Sequence, residues 1–432
     1  MRNVYIVISQ GMLYRDFVRL GVLRALLERA PDVRVILLTQ AYAVPEVLDE
    51  VRHERVVVER HDVFTDRTRW ASYAAFLRRS RRSRLAIDAL ARLEAWLSPT
   101  SPALDALFAK YPPALVVTTH PLVLNEWDVI TFARKRRVPT AAVVKSWDNI
   151  IRRPESRGDS MAVWGRANYR EAIEVERYRE DEIRMVGPTP FDRYFVPGVI
   201  RPRDEYWRSK GLDPSRPIVL FGTAGSFTPD WDETFMMDLL LRLTEEDEEL
   251  RGVQFVCRLH LMSRLEHFWP YREHPRAVLS FGSYVKTLGW CLTRDEVDDF
   301  ANMLCHADLV ITPASTLVLE GPVFGTPTIA TLFSTVRPDL HADATERGWL
   351  NMHFKPIVAN DWLPLARNPD ELKAMMKRAL RDRGWYADGR RALVEEYVTL
   401  TDGLSHQRVA AFIDDLAHGR PAAGEGTRVA AH

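Results

Sequence analysis

The sequence predicts an α/β protein of two doubly wound domains, and three observations predict it. The first is rhythm. Short apolar runs rich in β-branched residues alternate with helical stretches, at residues 4–9, 33–39 and 56–59 and again at 218–221, 255–259 and 309–311. The second is length, because 432 residues exceed one hydrophobic core and suit two of ordinary size. The third is punctuation: Pro188, Pro190, Pro197, Pro202 and Pro214, with Gly198 and Gly211, place a domain change near residues 195–215.

Composition narrows the function classes. Hydrophobic residues are 46% and charged residues 27%, as in ordinary globular chains. Fifty-nine basic and 59 acidic side chains cancel, so no global field draws nucleic acid. Cys257, Cys291 and Cys305 lie far apart, without metal-type spacing or an even number for a disulfide framework, which fits a reduced cytoplasmic setting. The first strand starts at residue 4 with no basic-then-apolar leader before it, and no apolar run reaches 18 residues. The expectation is a protein neither secreted by a signal peptide nor membrane-spanning.

In the first half, strand 4–9 leads through Gln10-Gly11-Met12 into a helix predicted over 15–29, and then strand 33–39. One glycine, rather than the three of a dinucleotide fingerprint, argues a Rossmann-like layer without NAD. After strand 56–59 the chain turns helical and basic. Arg78, Arg79, Arg81, Arg82 and Arg84 are flanked by Trp70, Tyr73, Phe76 and Leu77 and by Leu85, Leu90, Leu93 and Trp96. Most such runs are solvated helix faces; the alternative is docking on an anionic membrane or a phosphate-bearing acceptor. Strand 115–118 ends in Thr119-His120-Pro121, which puts a histidine at the sheet edge where α/β proteins hold ligands. Strand 140–144 ends in Lys145-Ser146-Trp147-Asp148-Asn149, a poor core and a suitable binding loop.

The second half repeats the pattern. Strand 218–221 runs into Gly222-Thr223-Ala224-Gly225-Ser226, whose small residues let backbone N–H groups approach a phosphate or sugar, and a helix follows over 233–243. Strand 255–259 closes in Arg258-Leu259-His260. Residues 308–327 then read as a strand, a tight turn at Thr312-Pro313, and a helix from Ser315 or Thr316 to Phe324. Free N–H groups at that helix start, with the helix dipole, suit a phosphate. Glu320, about one turn beyond Thr316, suits a ribose hydroxyl. The ordinary alternative is an N-cap and a solvated glutamate. Beyond come a polar segment with Arg337, His341 and His353, closing helices over 369–383 and 389–397, and a small-residue tail.

Ala307-Asp308, the β-run, Ser315-Thr316, Glu320 and Gly325-Thr326-Pro327 together resemble the donor-nucleotide site of GT-B glycosyltransferases. Within that fold the chain is most similar to the surface and capsule polysaccharide transferases that shade into the CDP-glycerol glycerophosphotransferases. The Ser-Trp-Asp-Asn run at 146–149 and the Val186, Gly187, Phe191 and Asp192 element resemble signatures of the same group. The resemblance implies two Rossmann-like β/α/β domains facing a cleft. These are an acceptor-side domain over 1–195, a linker over 196–215, a nucleotide-sugar domain over 216–403, a helix over 404–418 returning to the first domain, and a disordered tail over 419–432.

For the donor, the implied contacts are Gly222, Thr223, Gly225, Ser226, Arg258, His260, Ser315, Thr316, Glu320 and His353; for the acceptor, Gly11, Arg15, Trp147 and Asn149. The general base is to be sought among His120, Asp148 and Asp16. Leu261 stands where the family carries a proline, a departure that leaves the two basic groups in place. Retaining members often carry a second glutamate eight positions before the one matching Glu320. Here that position is Thr312, which favours inversion.

The implied reaction moves a sugar from a UDP- or CDP-linked donor to the hydroxyl of a glycan, lipid-linked or small-molecule acceptor, in surface polysaccharide or glycoconjugate synthesis. No cofactor, metal or nucleic acid is implied. Backbone N–H groups at Ser315 and Thr316, with Arg258 or His260, would hold the leaving charge. The setting is cytoplasmic, with peripheral contact at the inner membrane face through the arginines at 78–84. Rival readings are a CDP-glycerol-type glycerophosphotransferase, a non-hydrolysing UDP-N-acetylglucosamine 2-epimerase and a non-catalytic binding subunit.

Overall fold

Val4 stands in register with Val35 on one side and Leu115 on the other, at the centre of a seven-stranded sheet. Its strands are β1 (Arg2–Ile8), β2 (Val33–Thr39), β3 (Val56–Arg60), β4 (Pro113–Thr118), β5 (Thr140–Val143), β6 (Ser160–Val163) and β7 (Ile183–Met185). All are parallel, in the order β3-β2-β1-β4-β5-β6-β7. A parallel sheet needs cover on both faces, and the alternation of side chains supplies two cores. Val4, Ile6 and Ile8 meet Leu23 and Leu26 of the helix Val22–Arg29 and Phe412 and Ile413 of the helix Ser405–Ala417. Tyr5 and Val7 meet Phe108, Ile130 and Phe132 on the other face. Each such side chain, fully buried, contributes about 1.5–3 kcal/mol.

The computed structural model describes residues 1–61, 68–122, 124–225, 232–260, 262–335 and 353–423. It divides into two compact units, one of Met1–Asp192, Tyr284–Arg294 and Tyr397–His432, the other of Arg193–Ser283 and Asp295–Glu396. The second unit holds β8 (Ile218–Gly222), β9 (Gln254–Arg258) and β10 (Ala277–Ser280). The chain next forms an antiparallel hairpin, β11 (Tyr284–Val285) and β12 (Gly289–Trp290), that belongs to the first unit. It then adds β13 (Leu309–Thr312), β14 (Thr328–Thr331) and β15 (Leu365–Ala366) to a parallel sheet ordered β10-β9-β8-β13-β14-β15. Phe221, Phe255, Ile311, Met237 and Leu240 fill its core.

Four expectations are corrected by this architecture. The helix over 15–29 is interrupted: a π-helical turn, Arg15–Arg19, gives way at Gly21, whose φ of 103° suits glycine, before Val22–Arg29 resumes. The supposed linker is ordered into the second unit. Its helix Arg203–Ser209 buries Tyr206 and Trp207 completely, and the Tyr206 hydroxyl donates to the Asp299 carboxylate at 3.0 Å. A stretch dense in proline and glycine misleads here because two aromatic anchors outweigh it. The second domain is not continuous, since residues 284–294 leave it for the first unit. The tail is packed as far as Ala422, which is buried and whose carbonyl accepts from the Arg184 guanidinium. The rest of the predicted disordered tail, 424–432, lies outside the described residues.

Candidate active site

In a doubly wound sheet, ligands bind beyond the carboxyl ends of the strands where the strand order reverses. The first sheet reverses between β1 and β4, the second between β8 and β13.

Glu126 organises the first reversal point. It is fully buried and stands at the N-cap position of the helix Trp127–Lys135. Its carboxylate accepts from six donors: the backbone N–H and hydroxyl of Ser9, the hydroxyl of Thr118, the N–H and hydroxyl of Thr119, and the N–H of His120. An anion so placed at a helix N-terminus, and so fully bonded, welds the ends of β1 and β4 together. His120 then projects from a fixed backbone. It is 4% exposed and its Nδ1 has no hydrogen-bond partner. Burial, reinforced by the Lys145 cation, drives its pKa down to about 3, against the pull of Asp148, so the ring is neutral at physiological pH.

Lys145 follows β5 and donates to the Gln10 side chain at 3.1 Å. Burial lowers its pKa to about 8, while Asp148, Asp16 and Glu126 work to raise it. Burial raises the pKa of Asp16, whose carboxylate accepts from Arg15 Nε at 2.7 Å. Asp16, Lys145, Thr119 and Trp164 line one small cavity. The Asp148 carboxylate accepts from Arg152 at 2.9 Å and from Asn149 at 3.1 Å, so part of its charge is already compensated.

Not every residue singled out at this end is open to a ligand. Trp147 is buried, with its ring edge-on to Tyr397 at 5.1 Å. Buried Asn149 accepts from the Ser146 N–H and closes the turn. Gly11 is a packing glycine: a Cβ there would lie 2.5 Å from the Trp290 carbonyl, and its N–H donates to Leu288. The Ser-Trp-Asp-Asn run is thus half core. Of the arginine run, Arg78 is buried against Glu94 at 3.0 Å, Arg79 pairs with Glu155, and Arg84 pairs with Glu182 at 2.8 Å. Arg78 is thereby withdrawn from any surface patch, while Arg79 and Arg84 stay partly exposed in their ion pairs.

At the second reversal point the glycine loop is already occupied. Buried Glu233, at the N-cap position of the helix Thr234–Glu246, accepts from the N–H groups of Ala224 and Gly225, each at 2.9 Å. The phosphate cradle expected from that loop is therefore filled by a side chain of the protein itself. Its residues serve the fold. A Cβ on Gly222 would strike Leu317 at 1.9 Å, Gly225 adopts φ 93° against His260, and the Thr223 hydroxyl accepts from the His260 N–H at 2.7 Å. Ser226, Leu261, Arg337 and His341 lie outside the described residues.

Arg258, ending β9, is 8% exposed; one guanidinium nitrogen donates to the Ser280 hydroxyl at 2.9 Å and Nη2 has no partner. Its carbon lies 5.2 Å from the centre of the Phe300 ring. Burial lowers its pKa, and Glu296, Asp299 and Glu320 oppose that. The predicted motif forms as β13 followed by the helix Leu317–Val323. Thr312 and Ser315 share a hydroxyl contact of 2.7 Å, Ser315 Oγ accepts from the Leu317 N–H, and the Thr312 hydroxyl donates to the Gly222 carbonyl. Thr312 thus ties β13 to β8, Ser315 closes the turn before the helix, and Thr316 holds the N-cap position without a side-chain capping bond. Glu320 accepts from the Tyr194 hydroxyl at 3.3 Å. The His353 ring lies tilted against that of Phe354, with ring centres 4.5 Å apart. The acidic helix residues serve structural pairs: Asp298 binds Arg193, Asp299 binds Lys210, and Glu296 accepts from Ser283.

Sequence reasoning passed over Glu126, Glu233 and Tyr194 as site residues, and named Lys145 only as part of a binding loop. The available signal for the two glutamates was position, each immediately before an apolar helix. Lys145 was signalled by following a buried strand.

Two parallel α/β units, each with its ligand edge at a strand reversal, define the GT-B fold, and this chain has it. No family model matches the chain, and no curated protein matches it in sequence. Solved structures do match along nearly its whole length. The UDP co-structure of S. aureus MnaA superposes with a TM-score of 0.57 at 14% identity, covering 97% of each chain. A UDP-GlcNAc 2-epimerase from Neisseria meningitidis, bound to UDP-GlcNAc, gives 0.56 at 12%, covering 97% of this chain and all of that one. The wall teichoic acid polymerase TagF gives 0.54 at 12%, covering 96% and 89%. At such identities the likeness is one of fold.

Proposed function

We propose that the chain is a nucleotide-sugar transferase, in which the second unit binds a nucleotide-diphosphate donor and the first activates an acceptor hydroxyl. The observation that carries this reading is an unlike pair of unfinished polar groups at the carboxyl ends of the two sheets: a neutral imidazole after β4 with Nδ1 unpartnered, and a buried guanidinium at the end of β9, beside β8, with Nη2 unpartnered. Leaving such groups unsatisfied costs about 1–3 kcal/mol each, and folds tolerate that where a ligand completes the bonding. Arg258 suits the negative charge that develops on a departing diphosphate. Thr316 and Glu320 suit the phosphate and ribose beside it. A neutral imidazole holds a lone pair for the acceptor proton, and an anionic ligand nearby would raise its proton affinity toward the range of a working base. Thr312, standing where retaining members often carry a second glutamate, favours transfer in one displacement with inversion.

A second reading, epimerisation of a UDP-sugar, is supported by the likeness to two structures whose names record UDP or UDP-GlcNAc, and glycerophosphate transfer by the likeness to TagF. One experiment separates the three. The purified chain is incubated with UDP-N-acetylglucosamine alone, then with UDP-sugars and with CDP-glycerol in the presence of a glycan acceptor, and products are followed by mass spectrometry. Transfer of a hexosyl unit only when acceptor is present supports the proposal. A new UDP-sugar formed without acceptor, or glycerophosphate transfer, replaces it.

A further inference from the structure

The helices Arg69–Ser80 and Arg84–Leu97 pack against each other with their amphipathic order inverted. Their buried faces are small or charged: Ala71, Ala74, Ala75 and Arg78 on one, Ile87, Ala91, Glu94 and Ala95 on the other. The Glu94 carboxylate accepts from Arg78 at 3.0 Å and from the Trp127 indole N–H at 2.6 Å, and Arg78 also donates to the Glu155 carbonyl at 2.7 Å. This polar clamp fastens the pair to the first unit. Their outer faces carry the apolar bulk instead. Trp70 is 66% exposed, Phe76 66%, Leu85 83% and Trp96 70%, with Tyr73 and Leu93 also exposed. Trp70, Tyr73 and Phe76 recur every third residue and so share one side of their helix.

Soluble proteins seldom leave so many large apolar side chains clustered in water without a partner. The charges around them say which partner. Arg69 and Arg92 are exposed on the two helices, and Arg81 and Arg82 in the short connection between them. The two acidic residues of these helices are both paired: half-buried Asp88 with Arg84 and Arg157, and buried Glu94 with Arg78. An outer surface of tryptophan, phenylalanine, leucine and arginine, whose two helices carry no unpaired carboxylate among the described residues, complements an anionic lipid headgroup layer. Aromatic rings seat at the interface and guanidinium groups meet phosphates. A second copy of the same face would bring arginine against arginine.

We propose that this helical pair docks the protein on an anionic bilayer, with Trp70, Phe76, Leu85 and Trp96 entering the interface and Arg69, Arg81, Arg82 and Arg92 binding headgroups. Neither helix contributes a residue to the sites described above, so docking stands or falls separately from the transfer reaction.

The test is vesicle flotation of the full chain with phosphatidylcholine alone and with phosphatidylcholine mixed with phosphatidylglycerol. Two variants are compared, Trp70→Ser/Phe76→Ser/Trp96→Ser and Arg81→Gln/Arg82→Gln/Arg92→Gln, with Arg24→Gln, a surface arginine elsewhere in the unit, as control. The wild type and Arg24→Gln should float with the anionic vesicles. Each triple variant should lose about tenfold or more in partitioning while unfolding at the wild-type temperature. Equal flotation of all four proteins, no flotation of the wild type, or a wild-type dimer in solution that the aromatic triple dissolves would each overturn the proposal.

Discussion

Glu126 and Glu233 do the same job at the two strand reversals, and they do it differently. Each is a buried carboxylate at the N-cap position of its helix, making no side-chain capping bond, and each accepts instead from backbone N–H groups of the loop it faces. Glu126 joins two strands, through Ser9 after β1 and through Thr118, Thr119 and His120 around the end of β4. Glu233 holds a single loop after β8. The group left unfinished in each unit also differs: a neutral imidazole in the first, a guanidinium in the second. On the proposed function, one edge would handle a proton and the other an anion.

The largest effect expected from that comparison is at Glu126. Glu126→Gln turns an amide N–H₂ toward a cluster of donors and should cost about 3–5 kcal/mol of stability in urea unfolding. Glu233→Gln, facing two donors, should cost less, about 1–3 kcal/mol. Equal losses would break the distinction between a two-strand weld and a single-loop clamp.

Function should divide the same way. His120→Gln should lower turnover by about 10²–10⁴-fold with nucleotide affinity kept, as expected for loss of a general base. A His120→Gln enzyme of normal rate would remove the imidazole from the mechanism.

The smallest effect is a slope. Because the folded imidazole titrates near 3 and the unfolded one near about 6.5, the unfolded chain binds the extra proton between those values. Stability should therefore fall as pH drops through that window, with His120 contributing up to about 1.4 kcal/mol per pH unit. Urea midpoints measured from pH 7 to pH 4 should decline less steeply in His120→Gln. Parallel declines would show that the imidazole is not held neutral.

Much of this was legible in the sequence because it rests on local signals. β-Branched runs marked the strands, and the motif over 308–327 formed within two residues of its expected helix start. What stayed hidden depended on residues far apart in the chain. Glu126 meets Ser9 across 117 positions, and nothing near either announces the other. Arg78 read as solvated until Glu94, sixteen residues on, claimed it in the interior. The glycine loop had the composition of a phosphate cradle, but its N–H groups were already spoken for by Glu233, a residue whose sequence position said only helix start. Trp147 read as a binding-loop aromatic, and the ring of Tyr397, brought in by the returning end of the chain, made it core.

The central claim is that the second unit receives the anion and the first the proton. It is tested most directly by titration calorimetry of UDP and CDP into the wild type, Arg258→Gln and His120→Gln. Binding of one nucleotide, weakened about tenfold or more by Arg258→Gln and unchanged by His120→Gln, is the predicted result. Binding that survives Arg258→Gln, or that is lost in His120→Gln, would contradict the account.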